Sequence, residues 1–301
     1  DEAIKVYRRS LRLAFSGWQN RKLSTITPDE VETKFKSLKD KPASANKAFV
    51  HLGAVYGKCY IKSVKMRLDK ILPPNPCMDI DWYPQKVRTN IIEKEELELW
   101  WSVVDSMIDE DKNNNEVGYD KVRNRGDVYR DYFQFVILTG LRRNEASGLT
   151  WDRVDFDERT IYISDTKNNK PLIIPTTNYV YKMLKRRKKA SKKGATVFDN
   201  MVNPFRAQIW VEDKKRFGRH FSIHDLRRSF ATHAFDAGVD ERNIKDILNH
   251  SRSDVTSKHY DQKNVDRLRK PLQKIENYIL RKAMPKQGGV VSISDAKEKR
   301  A

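Results

Sequence analysis

Cysteine is scarce in this chain: Cys59 and Cys77 are the only two among 301 residues. They form neither a C-x-x-C pair nor a disulfide framework, which fits a reducing compartment and a structural role for both. No apolar run approaches the roughly 18 residues that a membrane span needs, and the N-terminus has no signal-peptide pattern, so a soluble chain is expected. A Walker-type glycine loop is absent, as is an acidic cluster of the kind that holds Mg²⁺; neither a metal nor any other cofactor is expected. The first residue is Asp1 rather than Met, which fits a fragment with an upstream segment removed. Acidic charge is outweighed too. Against 41 Asp+Glu stand 60 Lys+Arg, a net of +19, and an anionic polymer is the natural partner, with a merely soluble basic protein as the plain alternative.

The length suits two domains better than one core. Ile4, Tyr7, Leu11, Ala14 or Phe15, and Trp18 recur at helical spacing, with Arg and Lys opposite. Thr27-Pro28-Asp29-Glu30 reads as a capping box that starts a second helix carrying Val31, Phe35 and Leu38. A third helix begins near Ser44 with Ala48, Phe49, Leu52, Val55, Tyr56 and Cys59, and the prolines at 73, 74 and 76 end it. Residues 1–72 are therefore expected to be a helical domain and 73–90 a linker, followed by a second domain over 91–283 and a flexible tail over 284–301.

The second domain opens on the stripe Leu97, Trp100, Trp101, Val104 and Ile108, read as core. Asp109 to Asp127 is polar and is expected to be a surface loop. Tyr132 to Leu138 reads as a buried helix, and Thr160 to Ile174 as a hairpin-based sheet. Val180 to Lys193 is a helix with a basic end from Lys185 to Lys193, equally a solvated helix end and a phosphate contact.

The chemistry-bearing stretch runs from Ser222 to Tyr260. His224 and Arg227, three apart at the start of an apparent helix, share one face. His250 follows a glycine break at Gly238 and a short helix capped by Asp240, and Tyr260 comes close behind. Metal-ligand spacing is absent here. A cation, two imidazoles and a phenol suit a pentacoordinate phosphate attacked by a phenolate. Upstream, TGLRRNEASGLTW sets Arg142 just after a glycine turn, and DTKNNKP sets Lys167 in a turn between two strand-like runs.

The ordered set Arg142, Lys167, His224, Arg227, His250 and Tyr260, carried by TGLRRNE, HDLRRSFATH and LNHS-to-Tyr, resembles the tyrosine recombinase (phage integrase) family. The resemblance covers the second half of the chain. It implies a mainly α fold with a small β-sheet, built as a two-domain DNA clamp: a helical core-binding (SAM-like) domain and an α+β catalytic domain. It implies a site-specific enzyme that cleaves and rejoins duplex DNA through a 3′-phosphotyrosine, integrating or excising a mobile element. It implies double-stranded DNA at inverted-repeat core sites as partner, a homo-tetramer on two sites that exchanges C-terminal helices, and an accessory DNA-bending protein as a further candidate partner. A cytoplasmic, nucleoid-associated location in a bacterium or phage-infected cell follows. Val265 to Ile279 is the candidate exchanged helix. The interval from His250 to Tyr260 is one residue longer than the family's usual one, which would select His259; an insertion in the loop at Arg252-Ser253-Asp254 is the simpler account. A type IB topoisomerase, with a similar residue set, and a catalytically inactive DNA-binding regulator are the alternatives.

Arg142 and Arg227 would hold the phosphate as planar forks that a lysine does not match, the alternative for each being a structural ion pair. His224 would take the tyrosine proton and His250 bond a phosphate oxygen. The resemblance makes Lys167 the acid for the departing 5′ oxygen, with Lys170 nearby. Glu145 is better placed to orient an arginine or cap its helix than to do chemistry, and His51, His220, His233 and His259 are read as structural.

Overall fold

The computed structural model describes residues 2–67, 72–85, 89–113, 126–164, 166, 171–191, 196–199, 205–249 and 263–285. The chain divides into two compact units, Asp1–Arg88 and Thr89–Ala301.

The first unit holds α1 (Glu2–Ala14), α2 (Pro28–Lys36) and α3 (Pro42–Lys65). The capping box at Thr27 is formed: its Oγ1 accepts from Glu30 N at 3.3 Å and its N–H donates to Glu30 Oε2 at 3.1 Å. Arg21 also donates to that carboxylate, at 2.7 and 3.0 Å, and holds its pKa down at about 2. The core gathers Phe15, Val31, Phe35, Ala48, Phe49, Leu52 and Tyr56. Only the end of α1 joins it. Ile4 and Tyr7 are exposed, contrary to the stripe expected from their spacing, with Tyr7 stacked on His51 at 4.0 Å. The stretch expected to be a linker folds onto this unit as far as Tyr83. Cys77 and Ile80 are buried, Tyr83 stacks on Phe35 at 4.5 Å, and the Asn46 carboxamide bonds both the N–H and the carbonyl of Tyr83. Burial pushes the Cys77 thiol up to about 12, which makes it inert.

The second unit begins with α4 (Leu97–Asn113) and α5 (Gly126–Thr139). The polar stretch expected as a loop is thus helical at both ends; residues 114–125 lie outside the described residues. Buried along its length except at Asp127 and Arg130, α5 packs between α4 and α9 (Ile223–Asp236). After α6 (Arg143–Ser147) come β1 (Val154–Asp155), β2 (Thr160–Ile163) and β3 (Leu172–Pro175), an antiparallel sheet in that order. Ile161 pairs with Ile174 and Ile163 with Leu172, and these four are buried while Tyr162 faces out.

In α7 (Asn178–Ala190) the basic run is largely engaged. Arg187 is buried, 3.3 Å from Asp131 and donating to the Val197 carbonyl; Arg186 reaches the same Asp131 at 2.6 Å, and Lys188 lies over Trp151. The remaining helices are α8 (Phe205–Glu212), α10 (Glu241–Ile247) and α11 (Lys263–Ala283). The candidate exchanged helix packs on the core of its own chain. Val265, Leu268, Leu272, Ile275 and Ile279 of α11 are buried, and the helix lies against α4, β3 and α9.

Candidate active site

Three helix ends meet where the sequence motifs converge. Gly140 ends α5 with φ +66°, and a Cβ there would fall 2.5 Å from Phe230 Cδ1 and 2.7 Å from Leu248 Cδ2. Only glycine permits that approach of α5 to α9 and to the end of α10. The chain then turns into α6 with Arg142 as its flanking residue, and Tyr132 Oη donates to the Arg143 carbonyl at 3.2 Å.

Glu145 organises this turn. Its Oε2 accepts from Arg142 N at 2.9 Å and its Oε1 from Arg142 Nη1 at 2.8 Å, while Oε2 lies 3.9 Å from Arg227 Nη1. The carboxylate is 3% exposed, Arg227 5% and Arg142 22%, so Arg142 is the more open of the two cations.

The start of α9 is fixed by Ser222, whose Oγ accepts from Asp225 N at 3.2 Å while its N–H donates to Asp225 Oδ2 at 2.8 Å. Asp225 Oδ1 also takes Arg228 Nη1 at 2.6 Å. Ile223, Leu226 and Phe230 bury one face of the helix. Farther along, Ser229 Oγ accepts from Ile92 N at 2.7 Å and His233 Nε2 meets the Ile92 carbonyl at 3.0 Å, a structural role for His233.

His224 opens to solvent on one side. Loss of hydration on its packed side, then the charges of Arg228, Arg227 and Arg142, lower its pKa against the opposing pull of Asp225. The imidazole is therefore held neutral and able to accept a proton. Burial first, and then Arg142, lower Arg227 to about 10, which leaves it charged at neutral pH. Its Nη1 donates to the Gly140 carbonyl at 2.7 Å and its Nη2 to the Leu248 carbonyl at 2.6 Å. Asp240 caps α10 by accepting from Asn243 N at 2.9 Å, and α10 closes at Leu248 and Asn249, the latter at φ +49°.

Arg142 and Arg227 are thus brought together around Glu145, and His224 lies within the field of both cations. Lys167, Lys170, His250, His259 and Tyr260 lie outside the described residues, as does the tail from 286. The sequence motif did not single out Arg228, whose charge also acts on His224, from its neighbour Arg227. The carbonyls that receive Arg227 are equally hidden in the motif, because a backbone acceptor leaves no mark in side-chain identity. Among the described residues no group of three or more His, Cys, Asp or Glu could hold a metal ion.

A family model described as "Phage integrase family" matches residues 103–267. Prophage integrase IntF of Escherichia coli strain K12 is 32% identical over 205 residues, which are 64% of this chain and 39% of that protein. Tyrosine recombinase XerA of Thermococcus kodakarensis is 29% identical over 155 residues, 45% of this chain and 51% of that protein. The chain spans about half the length of the curated relatives it matches, or less. Among solved structures, a lambda integrase dimer bound to a COC′ core site aligns with TM-score 0.64 at 15% identity, covering 87% of this chain and 91% of that one. A lambda integrase tetramer bound to a Holliday junction aligns with TM-score 0.63 over 87% of this chain and 74% of that one, also at 15% identity. At such identity the likeness is one of fold.

Proposed function

The chain belongs to the phage integrase family, and from that premise we propose that it is a site-specific tyrosine recombinase that cleaves and rejoins duplex DNA through a 3′-phosphotyrosine. The observation that carries this reading is the pair Arg142 and Arg227 held around one buried carboxylate, with neutral His224 in their field. Two permanent cations sharing a site have a natural ligand in a phosphodiester, whose transition-state charge lies on equatorial oxygens. Tyr260 Oη attacks phosphorus, its proton passes to His224, and His250 bonds a phosphate oxygen. The bond to the 5′ oxygen breaks, Lys167 protonates that oxygen, and a free 5′ hydroxyl remains. Rejoining is the reverse attack, so the ester bond energy is kept and no nucleotide is consumed.

Residues 91–283 serve as the catalytic domain and the helical first unit as the core-binding domain, closing on duplex DNA at inverted repeats. The lambda integrase tetramer on a Holliday junction supports four protomers on two sites, acting on DNA of a bacterium or phage in the cytoplasm. No described helix is long and apolar enough to cross a membrane.

A nicked suicide substrate tests the reading. Tyr260→Phe removes only a hydroxyl and abolishes the covalent protein–DNA complex while site binding stays intact; His259→Ala retains the complex. Digestion of the trapped wild-type complex leaves a nucleotide on the peptide bearing Tyr260, joined through its 3′ phosphate. An adduct that survives in the Phe variant or maps to another residue refutes the assignment.

A further inference from the structure

Phosphate binding does not account for the two bonds that Arg227 already makes. Its acceptors are carbonyls at the ends of two helices: Gly140 just past α5, and Leu248 at the close of α10. Such carbonyls lack intrahelical partners and carry the negative end of the helix dipole, so a buried permanent cation satisfies both requirements. The two ends also touch. The space a Gly140 Cβ would occupy is closed by Leu248 Cδ2 at 2.7 Å. Each acceptor stands two residues ahead of a residue in the proposed set, Gly140 before Arg142 and Leu248 before His250.

We propose that Arg227 is a positioning residue in the DNA-free protein, pinning the ends of α5 and α10 to one another so that the chain leaves both helices from a fixed point. This deepens the proposed function and rests on it only for the roles of Arg142 and His250. A guanidinium suits the task because its fork sends donors to two separate carbonyls at once, which a single ammonium nitrogen does poorly. Two of its five N–H groups are used, so others stay available to an oxyanion, and pinning does not compete with phosphate binding. The left-handed Asn249 completes the exit from α10: its N–H donates to Asp246 O at 3.1 Å, and its φ of +49° turns the chain away from the helix axis.

Native-state amide hydrogen exchange on the full chain without DNA tests the pin in wild type, Arg227→Lys and Arg142→Lys. In Arg227→Lys the amides of Gly140, Arg142, Leu248 and Asn249 exchange about tenfold faster or more, while those of α11 and β2 keep wild-type protection. Arg142→Lys leaves Leu248 and Asn249 unchanged, since its described partner is Glu145. Unaltered protection at Leu248 and Asn249 in Arg227→Lys overturns the proposal, and so does a uniform loss across the second unit, which would mark a core residue and nothing more. Should that variant not fold, nitrogen-15 spectra of the wild-type guanidinium decide: slow rotation and protected Nη protons are expected for Arg227, and freely rotating, rapidly exchanging ones overturn the pin. Neither readout involves cleavage, so a failed pin leaves the recombinase reading standing and a failed adduct assay leaves the pin standing.

Discussion

Glu145 lets two guanidiniums occupy one site. Without it, Arg142 and the buried Arg227 would face each other with little to offset their repulsion in a medium poorer than water at screening charge. Replacing Arg142 by lysine keeps the charge and loses the fork, so cleavage of the suicide substrate should fall about 10²-fold or more while affinity for the site changes little. A parallel loss of binding would make Arg142 a docking residue. His224 offers a second check at this scale. Its folded pKa is depressed, so in the DNA-free protein its NMR titration should have a midpoint below the ordinary value of about 6.5. His233 is depressed as well, chiefly by burial. For both groups the unfolded chain takes up its proton at the higher pH. Their neutral forms therefore cost nothing above the ordinary histidine value, and stability falls as pH drops below it. Thermal melts at descending pH should show Tm falling through that window, and a His224 midpoint at or above about 6.5 would contradict the combined action of burial and the arginine charges.

At the scale of elements, α7 is capped from outside itself. Its own N-cap, Thr177, makes no side-chain bond to the helix. Glu276 of α11, 1% exposed, accepts instead from Thr177 Oγ1, from Tyr179 N at 2.9 Å and from Val180 N at 3.2 Å, and Gln273 Oε1 takes Asn178 N at 2.9 Å. A carboxylate at a helix N-terminus is favoured by the dipole, and burial removes the screening that weakens such pairs at a surface. Glu276→Ala should cost about 2–4 kcal/mol in urea unfolding, because it leaves buried N–H groups unpaired; Glu276→Gln should cost less, since the amide oxygen still accepts. Equal effects of the two would show that packing volume matters there and the cap does not. The same helix carries the apolar row from Val265 to Ile279, so α11 is at once a cap and a side of the core.

For the whole molecule, the net charge of +19 sets what the proposed association with DNA should show. Each neutralised phosphate releases counterions, so log K for the site should fall linearly with log salt, by about 0.9 per phosphate contact. Fluorescence anisotropy with a labelled duplex over a range of salt measures the slope, and a flat response would remove DNA as the main partner. The charge is not all free for that purpose. Arg186 and Arg187 are tied to Asp131, Arg21 to Glu30, and Lys188 lies on Trp151, so the contact number read from the slope will be well below the count of basic residues.

Local order was legible in the sequence wherever neighbours in the chain decide it. The Thr27 capping box, the Asp240 cap, the apolar run Tyr132 to Leu138 in α5, the alternating β2, and the sharing of one helix end by His224 and Arg227 all follow from spacing, because rotation per residue is the same in any helix or strand. The family too was legible, since its signature is an order of residue types. Periodicity shows that a face is apolar and leaves open what covers it. Hence Ile4 and Tyr7 are exposed despite their spacing, α11 packs on its own chain although its stripe would equally fit a neighbour, and Cys77 and Ile80 enter a core across a proline-rich stretch that composition marks as a connector. Only the tertiary structure decided which carbonyls receive Arg227 and which helix Glu276 caps. Those partners lie 87 and 21 residues from Arg227, and 96 and 97 from Glu276, and hydrogen bonds at such separations depend on how helices are stacked, which no pattern along the chain records.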